Sequence, residues 1–210
     1  MRVFERLCIG TANWHRKKPY GHRGVVCPLE EQNKILAYCQ SVGIDTIHTK
    51  KAYDVDLSPV LVNSYFRIVC EDALDTVKSF YDVAELVQCG KEKRWSIVQI
   101  PYSVFDRRWE STLWRIKEQW ADEVWVRSCF LQGKVFSSDE PVFLRFRGYA
   151  EQVGIPIGTL CILFCLLNPH VDKVILGVDS AEQLREDLRF FHKLGSFLVD
   201  DLNVIDPRKW

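Results

Sequence analysis

The residues best placed for chemistry stand where a run of β-branched and aromatic side chains gives way to a small polar loop. Val124 and Val126 and their neighbours read as a short buried strand, which runs into a loop built on Ser128, Phe130, Gln132 and Gly133. A strand that ends in a polar, glycine-containing loop is where a parallel α/β protein places its active groups. A second such place is Gly177-Val-Asp-Ser180, just before a helix whose first amides could face a phosphate. His48 ends another strand and Tyr53 follows it. Histidine changes charge near neutrality, and a phenol can donate a hydrogen bond. The plainer alternatives are a strand-end His bonded to a backbone carbonyl, a residual pocket Tyr, and capping residues without a ligand.

The elements that must position these groups alternate in type. Strands are expected at Arg6–Gly10, Ile44–Thr49, somewhere in Val60–Val69, Ser96–Ile100, around Val124–Val126 and at Lys173–Gly177. Pro28 opens a helix over Leu29–Val42, with Ile35, Leu36, Cys39 and Val42 on one face and Gly43 as its stop. Further helices are expected at Glu71–Tyr81, Glu110–Trp120, Pro141–Val153 and Ile157–Leu167, and after Ser180. A basic loop leads to Gly24. Six strands alternating with helices, without a second composition regime, mean one parallel βα domain over 1–210.

Composition narrows the function. Lys and Arg balance Asp and Glu at 28 each, which favours neither nucleic acid nor an anionic membrane as partner. No apolar run approaches the roughly 18 residues of a span, and the start lacks a signal-peptide core, so a cytoplasmic protein is expected. Eight cysteines without a CxxC pair read as reduced, buried small hydrophobes, and metal is not expected. Trp14, Trp109 and Trp120 could stack on a sugar, but packing accounts for them more simply.

Several segments, read in order, carry a family resemblance. They are Leu7-Cys-Ile-Gly-Thr-Ala-Asn13, Gly43-Ile-Asp-Thr-Ile-His-Thr49 with Ala52-Tyr53, Val98-Gln-Ile-Pro-Tyr102 with Phe105-Asp-Arg107, Val126–Gly133 and Val174–Leu184, and the ending Ile205–Trp210 joins them. Together they resemble the aldo-keto reductases, in the branch associated with sugars and surface polysaccharides. The resemblance implies an eight-stranded (β/α) barrel of about 250 residues. Only 11 residues, 54–64, separate Tyr53 from Tyr65, so the third and fourth βα units are expected to be missing. The expected fold is thus an incomplete TIM-type barrel of about six βα units.

The same resemblance assigns roles. The family's catalytic Asp, Tyr, Lys and His map here to His48 in place of Asp and to a retained Tyr53, with Lys and His lost. Gln99 stands where the nicotinamide carboxamide is held. Ser128, Phe130 and Leu131 match the loop over the pyrophosphate, Gly177, Asp179 and Ser180 lead into the helix whose first amides could face a phosphate, and Gln183 and Asp187 fall where the family reads the adenosine. Arg127 replaces an aromatic that stacks under the nicotinamide, Phe66-Arg67 stands for a Ser-Asn pair, and cations for a 2′-phosphate are absent. The resemblance implies a degenerate family member with a partly retained NAD(P) or sugar-type ligand pocket. The rivals are an NAD(P)H-dependent reductase of a sugar aldehyde or ketone, with Tyr53 or His48 as proton donor, and a non-redox step on a sugar nucleotide. Uncovered strand edges around Val60–Val69 point to a homodimer.

Overall fold

The computed structural model describes residues 3–14, 26–61, 64–91 and 93–191. The basic loop to Gly24 and the ending Ile205–Trp210 lie outside these. Seven strands form one wholly parallel sheet: β1 Leu7–Gly10, β2 Thr46–Thr49, β3 Arg67–Cys70, β4 Val77–Ser79, β5 Trp95–Pro101, β6 Ala121–Arg127 and β7 Lys173–Gly177. Their order, β3-β2-β1-β7-β6-β5-β4, leaves β3 and β4 as the two edges. The sheet curls as a (β/α) barrel does but does not close: an incomplete barrel.

Helices cover the outside. They are α1 Leu29–Val42, α2 Ser58–Leu61, α3 Val83–Cys89, α4 Leu113–Arg115, α5 Lys134–Ser137, α6 Pro141–Val153, α7 Ile157–Leu167 and α8 Ala181–Leu188. Gly43 ends α1 at φ 92°, a left-handed stop at which its N–H bonds Cys39 O. Asp82 caps α3 by accepting from Ala84 N and Glu85 N. Helix α7 is apolar on nearly every side because it is buried on nearly every side. No single described helix is long and apolar enough to cross a membrane.

Three sequence expectations change. The third strand, sought in Val60–Val69, lies at Arg67–Cys70, and Ser58–Leu61 makes a helical turn instead. The helix expected over Glu71–Tyr81 is a 3-10 turn, Glu71–Ala73, followed by β4, which makes seven strands instead of six. Val77 and Ser79 pair with Ile97 and Gln99, and that tertiary partner overrides the local helical pattern. The helix expected over Glu110–Trp120 is also shortened, passing from α4 into a π turn at Ile116–Trp120.

The sheet is apolar on both faces, which explains its nearly unbroken hydrophobic strands. Outward residues such as Ile9, Ile47, Val98, Val124 and Leu176 join the helices in the main core. Trp14, Trp109 and Trp120 are buried there too, so packing accounts for them. Inward residues Cys8, Val69, Val77, Ile97, Trp125 and Ile175 form a separate apolar plug inside the barrel. Val69 and Val77 share that plug, so the chain from β3 to β4 descends only a short way. Glu71–Thr76 suffices for it, where a full parallel crossover takes a dozen residues or more.

Candidate functional site

Side chains alternate across a strand, so residues two beyond each member of the plug face the same interior, nearer the strands' C-terminal ends. Those positions are Gly10, Glu71, Ser79, Gln99, Arg127 and Gly177. His48 is in register with Gly10 on one side and Val69 on the other, so it joins them. Strand parity thus turns these polar groups to the inner face, towards the C-terminal ends of the strands and above an apolar floor. The two glycines of this layer contribute no side chain and are backed by Ile175 and Asn13.

The layer is organised by Glu71, which follows β3. Its Oε2 lies 2.8 Å from Lys50 Nζ and 3.5 Å from His48 Nε2. Burial would raise the Glu71 carboxyl. The close approach of His48, Lys50 and Ser79, together with the Lys50 charge, outweighs burial and holds it down at about 2, although the 3.5 Å approach of His48 Nε2 is not a formed hydrogen bond. Glu71 is thus a permanent anion. Ser79 Oγ also lies 3.3 Å from Gln99 Oε1, so its one proton is shared between that oxygen and Glu71, and the contacts of Ser79 and Glu71 span the open side of the barrel. Gln99 is fully buried, and its Nε2 has no partner among the described residues.

Arg127 ends β6. Its guanidinium carbon sits 4.0 Å from the centroid of the Tyr81 ring, and Nε and Nη2 are buried without a hydrogen-bond partner among the described residues. Burial lowers its pKa, as does the nearby Arg108 charge, while the Glu71 carboxylate opposes this and Tyr81 and Tyr53 lie close by. Tyr53 is therefore close enough to sense Arg127, from the 3-10 turn Lys51–Tyr53 just past β2.

The expected residues fall into two groups. His48, Gln99 and Gly177 are brought into the layer, with Tyr53 at its rim. In the loop after β6, Ser128, Leu131 and Gln132 have φ of 61°, 49° and 56°, followed by Gly133 at 88°. Such backbone is costly for residues with a Cβ and clusters at functional sites. Phe130 is buried with its ring 5.2 Å from that of Phe136. Asp179, Ser180 and Gln183 lie apart, at the start of α8. Phe66-Arg67, which stands for a Ser-Asn pair, leads into the edge strand β3, and Ser79 is the residue that reaches Gln99.

A dinucleotide fits one end of this arrangement. The unpartnered amide of Gln99 suits a carboxamide. At α8, Ala181 N donates to Glu31 Oε1 at 2.7 Å and Gln183 N to Ser180 Oγ at 3.1 Å. Asn13 Nδ2 donates to Asp179 Oδ1 at 2.6 Å. The chain's own carboxylate occupies the amide that a phosphate would use, so the residues as they stand do not fit a dinucleotide along its length. Asp187, expected near the adenosine, is buried against Gly158, and burial pushes its carboxyl up to about 7.

Sequence reasoning missed Lys50, Glu71, Ser79, Tyr81 and Glu31. Lys50 was within reach, since it lies two residues past His48 and shares its parity. Glu71 and Ser79 were hidden by reading their segment as a helix.

No family model matches the sequence. Solved structures do share the fold. An aldo-keto reductase from Bacillus halodurans in its holo form matches with a TM-score of 0.65 and 13% identity, over 95% of this chain and 90% of that one. A glycerol dehydrogenase from Gluconobacter oxydans gives 0.64 and 13%, over 96% and 90%. A thermostable aldo-keto reductase in complex with the inhibitor epalrestat gives 0.63 and 15%, over 96% and 94%. At these identities the likeness establishes the fold.

Proposed function

We propose that this chain, an aldo-keto reductase barrel with one side left open, binds a small ligand at the C-terminal ends of its strands and does not reduce carbonyl compounds by itself. The observation that carries the reading is the commitment of Lys50. Its ammonium is matched by Glu71, 2.8 Å away. Carbonyl reduction calls for a proton donor tuned by a neighbouring cation and for stabilisation of a developing alkoxide. Here the layer's lysine is held in an ion pair with Glu71, and His48 ends β2 in place of the carboxylate that the family resemblance puts there. The test is oxidation of NADPH or NADH by the purified chain with glyceraldehyde: no turnover above background is expected. Robust turnover abolished by Tyr53→Phe would refute the reading.

A second reading, a nicotinamide-dependent reductase of a sugar aldehyde or ketone, is favoured by Gln99, whose buried amide lacks an acceptor, and by the likeness to a holo-form relative. Fluorescence titration of the tryptophans with NADH separates the two. Binding lost in Gln99→Ala together with glyceraldehyde turnover would favour this second reading.

A further inference from the structure

The polar layer holds two fixed cations and one fixed anion. Lys50 is matched by Glu71, and nearby Arg108 is matched by Asp106 at 2.6 Å. Arg127 is not matched. Its Nε and Nη2 are buried without a hydrogen-bond partner among the described residues, although Glu71, Tyr53 and Tyr81 lie close enough to act on its charge. A buried guanidinium with idle donors is costly, and the planar fork is shaped for two coplanar oxygens. The Tyr81 ring covers one face of the guanidinium, so the idle donors lie on its in-plane edge, which is itself buried.

Gln99 supplies the second feature. It is fully buried, its Oε1 lies 3.3 Å from Ser79 Oγ, and its Nε2 has no acceptor among the described residues. Gly10 and Gly177 stand on the same face, closely backed by Ile175 and Asn13 respectively. We propose that the Arg127 fork, with the Gln99 amide beside it, seats the carboxylate of a small organic acid, so that the ligand of this pocket is an anion. A neutral sugar could satisfy Gln99 but would leave the guanidinium unmatched. This rests on the reading of the layer as a ligand pocket and gives that ligand a chemical class.

The test uses the whole chain, with thermal melting and tryptophan fluorescence as readouts. The probes are D-glucuronate, D-glucose (the same ring without the carboxylate) and inorganic phosphate. Glucuronate at ten times its Kd should raise Tm by about 3 °C or more, and glucose at the same concentration should not. Arg127→Lys keeps the charge but loses the fork, and should weaken glucuronate by about tenfold. Arg127→Met should melt no lower than the parent without ligand, because it removes an unpaired buried charge, and should lose the glucuronate shift. A shift that survives in Arg127→Met, a phosphate shift as large as that of glucuronate, or an Arg127→Met chain that melts several degrees lower would each overturn the proposal. A null with glucuronate alongside NADH binding that depends on Gln99 ends the carboxylate seat but spares the pocket. Silence from every probe ends both. Glucuronate binding with glyceraldehyde turnover leaves the seat standing and removes only the claim of lost reductase activity.

Discussion

Replacing Glu71 with Gln should destabilise the protein in a pH-dependent way. The carboxyl is held at about 2 against an ordinary 4.5. At 1.36 kcal/mol for each tenfold change in proton affinity, that gap corresponds to about 3 kcal/mol. Solvent at the barrel mouth screens part of it, leaving about 2 kcal/mol. For a chain of this size, that lowers Tm by roughly 4–8 °C at pH 7. The folded-state value is depressed, so the contribution is fully present above 4.5 and is lost as pH falls towards about 2. Melting curves of the parent and Glu71→Gln should therefore differ at pH 7 and converge between pH 4.5 and 2. A second variant, Lys50→Met, checks the cause, since the loss in the double variant should fall well short of the sum of the single losses. Equal melting at pH 7, or a difference that persists unchanged to pH 2, would show that Glu71 does not organise the layer.

Two further outcomes follow from the start of α8 and its neighbour. Glu31→Ala frees the Ala181 amide and removes a carboxylate from a helix N-terminus, so NADH should bind about two- to fivefold more tightly by fluorescence titration; an unchanged Kd means that no phosphate reaches α8. Asp187 is raised to about 7, so its burial penalty is absent below 3.8, grows between 3.8 and 7, and is full above 7. Asp187→Asn should flatten the fall in stability across that window, as read from Tm against pH, and an unaltered slope would show that another group causes it.

The sequence by itself determined what depends on nearest neighbours along the chain. Alternating apolar runs gave the parallel strands around Ile9, Ile47, Val98, Val126 and Ile175. Gly43 and Ser180 marked helix ends, because a left-handed stop and a side-chain cap need only a few adjacent residues. Ordered short motifs also pointed to the barrel family, and the fold agrees. The tertiary structure alone decided which residues meet. Ser79, Gln99 and Arg127 come from three strands and Glu71 from the turn after β3, and only the pairing and curl of the sheet gather them on one inner face with His48. The segment from Glu71 to Tyr81 shows why local reading fails there. Strand β4 is three residues long, too short for a period-two signal, and it exists because β5 offers it a hydrogen-bonding edge. Likewise nothing near Ala181 in sequence announces that Glu31, 150 residues away, fills its amide. Contacts of that range are fixed by how the sheet curls and where its helices dock, and the identity of each residue constrains that only through the fold as a whole.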